Sequence, residues 1–266
     1  MKITAKVLAA SRNVYTGTTL YTLELRYPRF IHAEFMTHRV FSRNASSSRA
    51  IPIAKQIDAV ESFPVYPSEW GTNKPGMQAG DPLARMTQTE AEGVWGLACR
   101  DAVKHARKLK DLGVHKQLAN RLLEPFSYIT VIVSSTEWSN FFDLRISELA
   151  QPEIRILAEH MKAAMDAVEP IEAKLGYVHA PYVTQEEREA FEPEQLMMIS
   201  AARCARVSYL NHDGLAPDVS KDLALAERLK GDKHASVFEH QAYPTASKQW
   251  IRNFRDWNQH RNILGL

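Results

Sequence analysis

One stretch constrains the fold more than any other. Phe126–Val133, FSYITVIV, is an uninterrupted β-prone run and reads as a buried strand. A strand without a polar face needs a layer of structure packed against it. Thr18–Arg26, TTLYTLELR, alternates apolar and polar residues and reads as a second strand. The helical patterns are longer. Leu83–Leu112 carries Leu97, Val103 and Leu109 and stops at Gly113. PEIRILAEHMKAAMDAVEP opens at Pro152 and presents Ile154, Leu157, Met161 and Met165. Glu194–Arg206 and Val219–Lys230 complete the set, the last ending at Gly231. The mixture of elements implies an α/β (α+β) fold class, and 266 residues suffice for one large core or two small ones.

Other segments read more locally. PRFIHAEFM is expected to start a helix near Pro28. His115–Leu123 is a short helix that ends at Glu124-Pro125, and STEWSNFFDLR a helix capped by Ser135 or Thr136. A loop-rich excursion covers about 51–82, with Pro52, Pro64, Pro67, Pro75 and Pro82 and the glycines Gly71, Gly76 and Gly80. Residues 176–193 read as a polar connector. The C-terminal SKQWIRNFRDWNQHR reads as a helix or packing arm.

Composition excludes several classes. A net charge of +2 gives no argument for nucleic acid or a membrane surface. No apolar run approaches the roughly 20 residues that span a bilayer. MKITAKVLAASRN has no long apolar stretch, so no secretory leader is expected. Cys99 and Cys204 give neither a disulfide framework nor metal-ligand spacing, and a cytoplasmic location is expected. His234, Glu239 and His240 invite a metal reading, but no further ligand cluster has matching spacing, so none is expected.

The chemistry concentrates in His38–Arg49, HRVFSRNASSSR. Arg39, Arg43 and Arg49 stand among Ser42, Ser46, Ser47 and Ser48, with no acidic residue between them. Guanidinium forks and hydroxyls hold phosphate by charge-assisted bonds; a polar surface loop would have the same composition. Arg145 directly follows an aromatic face of Trp138, Phe141 and Phe142. It is either a surface residue or one held near a site by packing.

Several of these stretches resemble the flavin-dependent thymidylate synthases. That family's signature is Arg-His-Arg, seven residues, then Ser; here it is Thr37-His38-Arg39, seven residues, then Ser47. Asn44 and Arg49 match, and Pro28 precedes His38 at the family's spacing. NRLLEP is similar to the segment bearing a nucleotide-binding arginine, here Arg121. SNFFDLR followed by AQPEIR is similar to the segment whose arginine activates the pyrimidine, here Arg145. ARVSY and HASVFEH resemble segments that precede the signature in the family. Here they lie at the C-terminus, so the resemblance implies that family's fold with circularly permuted segment order, in a single domain over residues 1–266.

The resemblance implies C5 methylation of deoxyuridine monophosphate, with FAD, NADPH and 5,10-methylenetetrahydrofolate, in a homotetramer. It carries His38, Arg39, Asn140, Ser208, His234, Ser236 and Glu239 to the cofactors. It carries Glu34, Ser46, Ser47, Ser48, Arg49, Arg121 and Arg145 to the nucleotide, with Arg145 catalytic. Thr37 replaces the first signature arginine, Glu34 a glutamine, Ala45 a glutamate and Val237 a proline. Those departures leave open another pyrimidine substrate such as deoxycytidine monophosphate, a hydroxymethyl product, or a relative that binds nucleotide or flavin without turnover.

Overall fold

The computed structural model describes residues 3–207 and 216–266. Strands β1 (Thr4–Asn13) and β2 (Thr19–Pro28) form an antiparallel hairpin. Gly17 turns it with φ +79, a conformation that disfavours side chains. The register shifts between Val7 and Ala9, a bulge that leaves Leu8 without a partner on β2; Leu8 and Val7 pack on opposite faces. A 3₁₀ turn (Arg29–Ile31) leads into α1 (His32–Met36), then β3 (Ser42–Ala45), α2 (Ile53–Ser62) and the long α3 (Arg85–Asp111). Next come α4 (Lys116–Ala119), a 3₁₀ segment (Asn120–Phe126), β4 (Tyr128–Ser135), α5 (Ser139–Arg145), α6 (Pro152–Asp166) and β5 (Ile171–Ala173). The remainder holds α7 (Gln185–Ala190), α8 (Pro193–Arg206), α9 (Val219–Gly231) and a 3₁₀ segment (Ala235–Glu239). It ends with the short strands β6 (Ala242–Pro244), β7 (Trp250–Ile251), β8 (Phe254–Arg255) and β9 (Trp257–Gln259), then α10 (His260–Ile263).

The central sheet has the order β3-β4-β2-β1-β5, antiparallel except for β1 with β5. Period-two alternation sends Leu23, Leu25 and Tyr27 of β2, with Ile129, Val131 and Val133 of β4, to one face. There they meet Ile154, Leu157 and Met161 of α6 and the aromatics Phe35, Phe41, Trp138 and Phe141. Ile132 faces the other way, onto Cys204 and Val207 at the end of α8. Leu20 packs beneath Phe254 and Trp257 of the C-terminal arm. Burial on both faces is why FSYITVIV has no polar side.

The structure revises several local expectations. Pro28 both ends β2, opposite Tyr128, and caps the Arg29–Ile31 3₁₀ turn, so the helical run starts beside it as expected while the α-helix itself starts at His32. Helix α5 begins at Ser139, with no side-chain cap. The Ser135 hydroxyl accepts from the Glu137 amide at 2.9 Å, which turns the chain before the helix. The excursion at 51–82 contains α2, and the connector at 176–193 contains α7, opened by a Thr184–Glu187 capping box. The C-terminal arm is largely a set of paired short strands rather than a helix. Among the described residues, no helix is long and apolar enough to cross a membrane, and no group of His, Cys, Asp or Glu could hold a metal ion.

Candidate active site

The signature loop is built around Arg43. Helix α1 is only five residues long, and its last carbonyls need partners. Arg43 Nη1 donates to Met36 O at 2.9 Å, His38 O at 3.1 Å and Phe35 O at 3.4 Å. One guanidinium thereby closes the helix and fixes the backbone that carries His38. All three bonds come from Nη1.

His38 is buried between Phe41, whose ring stacks at 5.9 Å, and Phe141, which meets it edge-on at 4.8 Å. Phe141 and Arg145 lie one turn apart on α5, so they share a face. Phe141 anchors that face in the core, and Arg145 Nε donates to His38 Nε2 at 2.9 Å. The bond makes Nε2 an acceptor and assigns the proton to Nδ1. Burial, with Arg145 and Arg43 nearby, pushes the imidazole down to about 4, so it is neutral at physiological pH. Arg145 Nη2 lies 3.5 Å from Thr37 Oγ1, and that hydroxyl donates to Glu34 O at 2.7 Å. Glu34, Thr37, His38 and Arg145 are therefore gathered at one place. One carboxylate oxygen of Glu34 is buried without a hydrogen-bond partner.

The serine run lies at a second cluster. Ser46 extends the pairing of β3 with β4: its amide donates to Thr130 O at 2.8 Å, and its hydroxyl accepts from the Thr130 amide at 3.1 Å. Ser48 is buried and donates to Glu124 Oε1 at 2.8 Å. That same oxygen takes Arg121 Nη1 at 2.9 Å and Arg29 Nη2 at 3.1 Å. Asn120 Nδ2 donates to Ser48 O at 2.7 Å and Ile51 O at 3.0 Å. Ser47, Arg49 and Arg121 are left exposed at this cluster. Of the serines expected at the nucleotide, Ser48 gives its hydroxyl proton to Glu124, whereas the Ser46 hydroxyl acts only as an acceptor here. Arg29, Asn120 and Glu124 had no site role in the sequence reading. The i,i+3 spacing of Arg121 and Glu124 was the available signal.

The 235–239 segment packs against β3. Glu239 binds Arg261, and its charge acts on Arg43. Ser42 Oγ accepts from Gln259 Nε2 at 2.9 Å, and Asn44 Nδ2 donates to Cys204 O at 2.6 Å. Arg39, Asn140, His234 and Ser236 are exposed, and no side-chain hydrogen bond engages them among the described residues. Ser208 lies outside the described residues.

A family model, described as "Thymidylate synthase complementing protein", matches residues 16–171. The chain belongs to this family of flavin-dependent thymidylate synthase-like methylases. The matched residues run from the hairpin turn to β5 and take in the signature loop, Arg121 and Arg145. None of the curated proteins compared with it matches. Among solved structures, it is similar to the UMP/dUMP methylase PolB from Streptomyces cacaoi bound with 5-bromo-UMP. That match has 17% identity and a TM-score of 0.47, and covers 62% of this chain and 88% of PolB. It is also similar to the flavin-dependent thymidylate synthase ThyX from Helicobacter pylori complexed with FAD and dUMP. There the identity is 19% and the TM-score 0.41, over 55% of this chain and 67% of ThyX.

Proposed function

We propose that the chain methylates C5 of deoxyuridine monophosphate, with 5,10-methylenetetrahydrofolate as the one-carbon donor, FAD as cofactor and NADPH as reductant, in a homotetramer. The observation that carries this reading is the bond from Arg145 Nε to a neutral, buried His38. It orients the guanidinium through Nε and, among the described residues, leaves Nη1 unengaged. A fixed guanidinium beside the pyrimidine stabilises charge developing at O2 or N3, and C5 becomes electron-rich. The thiols support a route without a cysteine nucleophile. Burial pushes Cys204 up to about 12 and raises Cys99, so neither supplies a thiolate.

Ser47, Arg49 and Arg121 hold the nucleotide phosphate in this reading, as exposed donors around one loop. The unengaged donors Arg39, Asn140, His234 and Ser236 fit a polar, phosphate-bearing cofactor such as FAD, which supplies the hydride. Mass spectrometry of products from deoxyuridine monophosphate with the folate donor and NADPH tests the reaction. A product heavier by one methyl group is expected. A flavin-free protein that turns over neither pyrimidine favours the non-catalytic alternative.

The unpartnered Glu34 oxygen favours a second reading of the base. Arg43 donates to carbonyls and makes no ion pair with Glu34 among the described residues, so one buried carboxylate oxygen keeps acceptor capacity that a donor brought against it would satisfy. An ionised carboxylate only accepts, and the amino group of deoxycytidine monophosphate is a matching donor. Competition between the two nucleotides decides. If Glu34→Gln leaves their ratio unchanged, Glu34 does not read the base.

We also read the segment order as a circular permutation. His240 closes HASVFEH; its Nδ1 lies 2.8 Å from Ser134 Oγ, which lies 2.6 Å from Thr22 Oγ1 of β2. Those contacts support spatial continuity between HASVFEH and the strand that follows it in an unpermuted chain. Ser134→Ala should lower hydrogen-exchange protection in residues 234–240 and in β2 together. Independent responses would overturn the reading.

A further inference from the structure

Glu124 Oε1 collects three donors from three parts of the chain. Arg29 comes from the 3₁₀ turn after β2, Ser48 from the serine loop, and Arg121 from the same 3₁₀ segment as Glu124. From these contacts we infer that Glu124 is a positioning residue for phosphate recognition. It orients Arg121 toward the nucleotide and fixes the serine loop beside it. The inference rests on the phosphate reading above.

The geometry argues for orientation rather than competition. Arg121 meets Glu124 through Nη1, so its Nε–Nη2 edge stays open, and that edge can take a phosphate in bidentate fashion. Arg121 has a 52% exposed side chain, whereas Arg29 is 17% exposed. A half-exposed arginine held by no partner samples many rotamers, and ordering it on binding costs affinity. Arg29 supplies the second positive charge that lets one carboxylate remain beside an anion site. Ser48 gives its only hydroxyl proton to Glu124, so it ties down the loop instead of binding phosphate. Asn120 and Lys116 hold the same loop, through Ser48 O and Ile51 O and through Ala50 O at 3.0 Å. Ser47 and Arg49 are thereby presented next to Arg121 by a stapled backbone.

The sign of one substitution separates positioning from bulk charge. Removing a carboxylate makes the site more positive, so charge alone predicts tighter nucleotide binding for Glu124→Gln. Positioning predicts weaker binding, by about tenfold, which is the scale of one charge-assisted contact. Glu124→Asp keeps the charge but withdraws it by one methylene, so positioning predicts weakening there too. It also serves where the Gln variant folds poorly. The measurement is calorimetric titration of deoxyuridine monophosphate into the full-length protein, with kcat and KM alongside. The expected result is a raised Kd and KM with unchanged kcat for both variants. In the Arg121→Ala background, Glu124→Gln should add no further loss. Unchanged or tighter binding in both Glu124 variants, with Arg121→Ala still weakening it, overturns the positioning role alone. Unchanged affinity in Arg121→Ala overturns the phosphate assignment, and the positioning role with it.

Discussion

His38 and Arg145 are 107 residues apart in sequence, yet a single bond defines the state of both. Arg145→Ala should reduce kcat by about two to three orders of magnitude, as loss of a transition-state donor does, with little effect on nucleotide Kd. Single-turnover kinetics with a parallel binding titration check this. His38 accepts from Arg145 only when neutral, and its proton affinity lies far below that of a free imidazole. Protonation of His38 should therefore limit turnover only as pH falls through about 4. A kcat profile whose acidic limb titrates near the ordinary imidazole value of about 6.5 would show that the bond does not govern the site. At the second cluster, Arg49→Ala and Arg121→Ala should each weaken nucleotide binding by roughly 1.5–3 kcal/mol, with little change in melting temperature. The donor-rich loop and an arginine following the aromatic face of α5 were legible as residue types, whereas the roles of Ser47, Arg121 and Arg145 came only from the resemblance. The partners were not legible: Glu124 reaches Ser48 across 76 residues, and no local pattern encodes that.

The elements were legible where periodicity and punctuation agree. Pro152 starts α6 as expected, and Gly113 follows the C-terminus of α3. Strand β1 went unread because TAKVLAASRN is rich in alanine and interrupted by a bulge, which breaks the two-residue period. The short strands of the C-terminal arm are set by tertiary contact, as where Trp257 and Phe254 cover Leu20. Helix α8 shows the same limit. Its Arg203 is fully buried, donating Nε to Asp222 at 2.8 Å and Nη1 to Tyr182 O at 2.7 Å, with Nη1 and Nη2 also bound to Glu187. Arg206 adds a second bond to Asp222 at 2.6 Å. The cluster clasps α7, α8 and α9 together. Arg203→Ala would take the arginine from Glu187 and leave the fully buried Asp222 with Arg206 alone, and should cost about 3 kcal/mol. Urea denaturation measures it. A loss below about 1 kcal/mol would show that the clasp is not a determinant of stability.

At the scale of the whole molecule, one polar seam ties the sheet to its C-terminal cover. Tyr177 meets Ser11 at 3.2 Å, and Ser11 meets His179 Nδ1 at 2.9 Å. His179 Nε2 meets Thr22 at 2.8 Å, Thr22 meets Ser134 at 2.6 Å, and Ser134 meets His240 at 2.8 Å. The seam thus crosses β1, β2 and β4. Burial pushes His179 and His240 down to about 3; nearby Arg188 and His240 also lower His179. Burial, with Lys230 nearby, pushes His260 down to about 4. In the unfolded chain each returns to about 6.5. Between those limits the unfolded state binds more protons, so stability is complete above about 6.5 and falls as pH drops toward 3. Ordinary carboxylates titrate near 4, so the interval from about 6.5 to 5 isolates the histidines. The melting temperature should hold steady from about pH 8 to 7 and decline progressively below about 6.5. His240→Gln keeps a polar side chain beside Ser134 but cannot take up a proton in that range. It should lower the melting temperature at neutral pH and flatten its decline between about pH 6.5 and 5. Equal slopes in the variant and the parent would show that the seam does not set the acid limit of the fold.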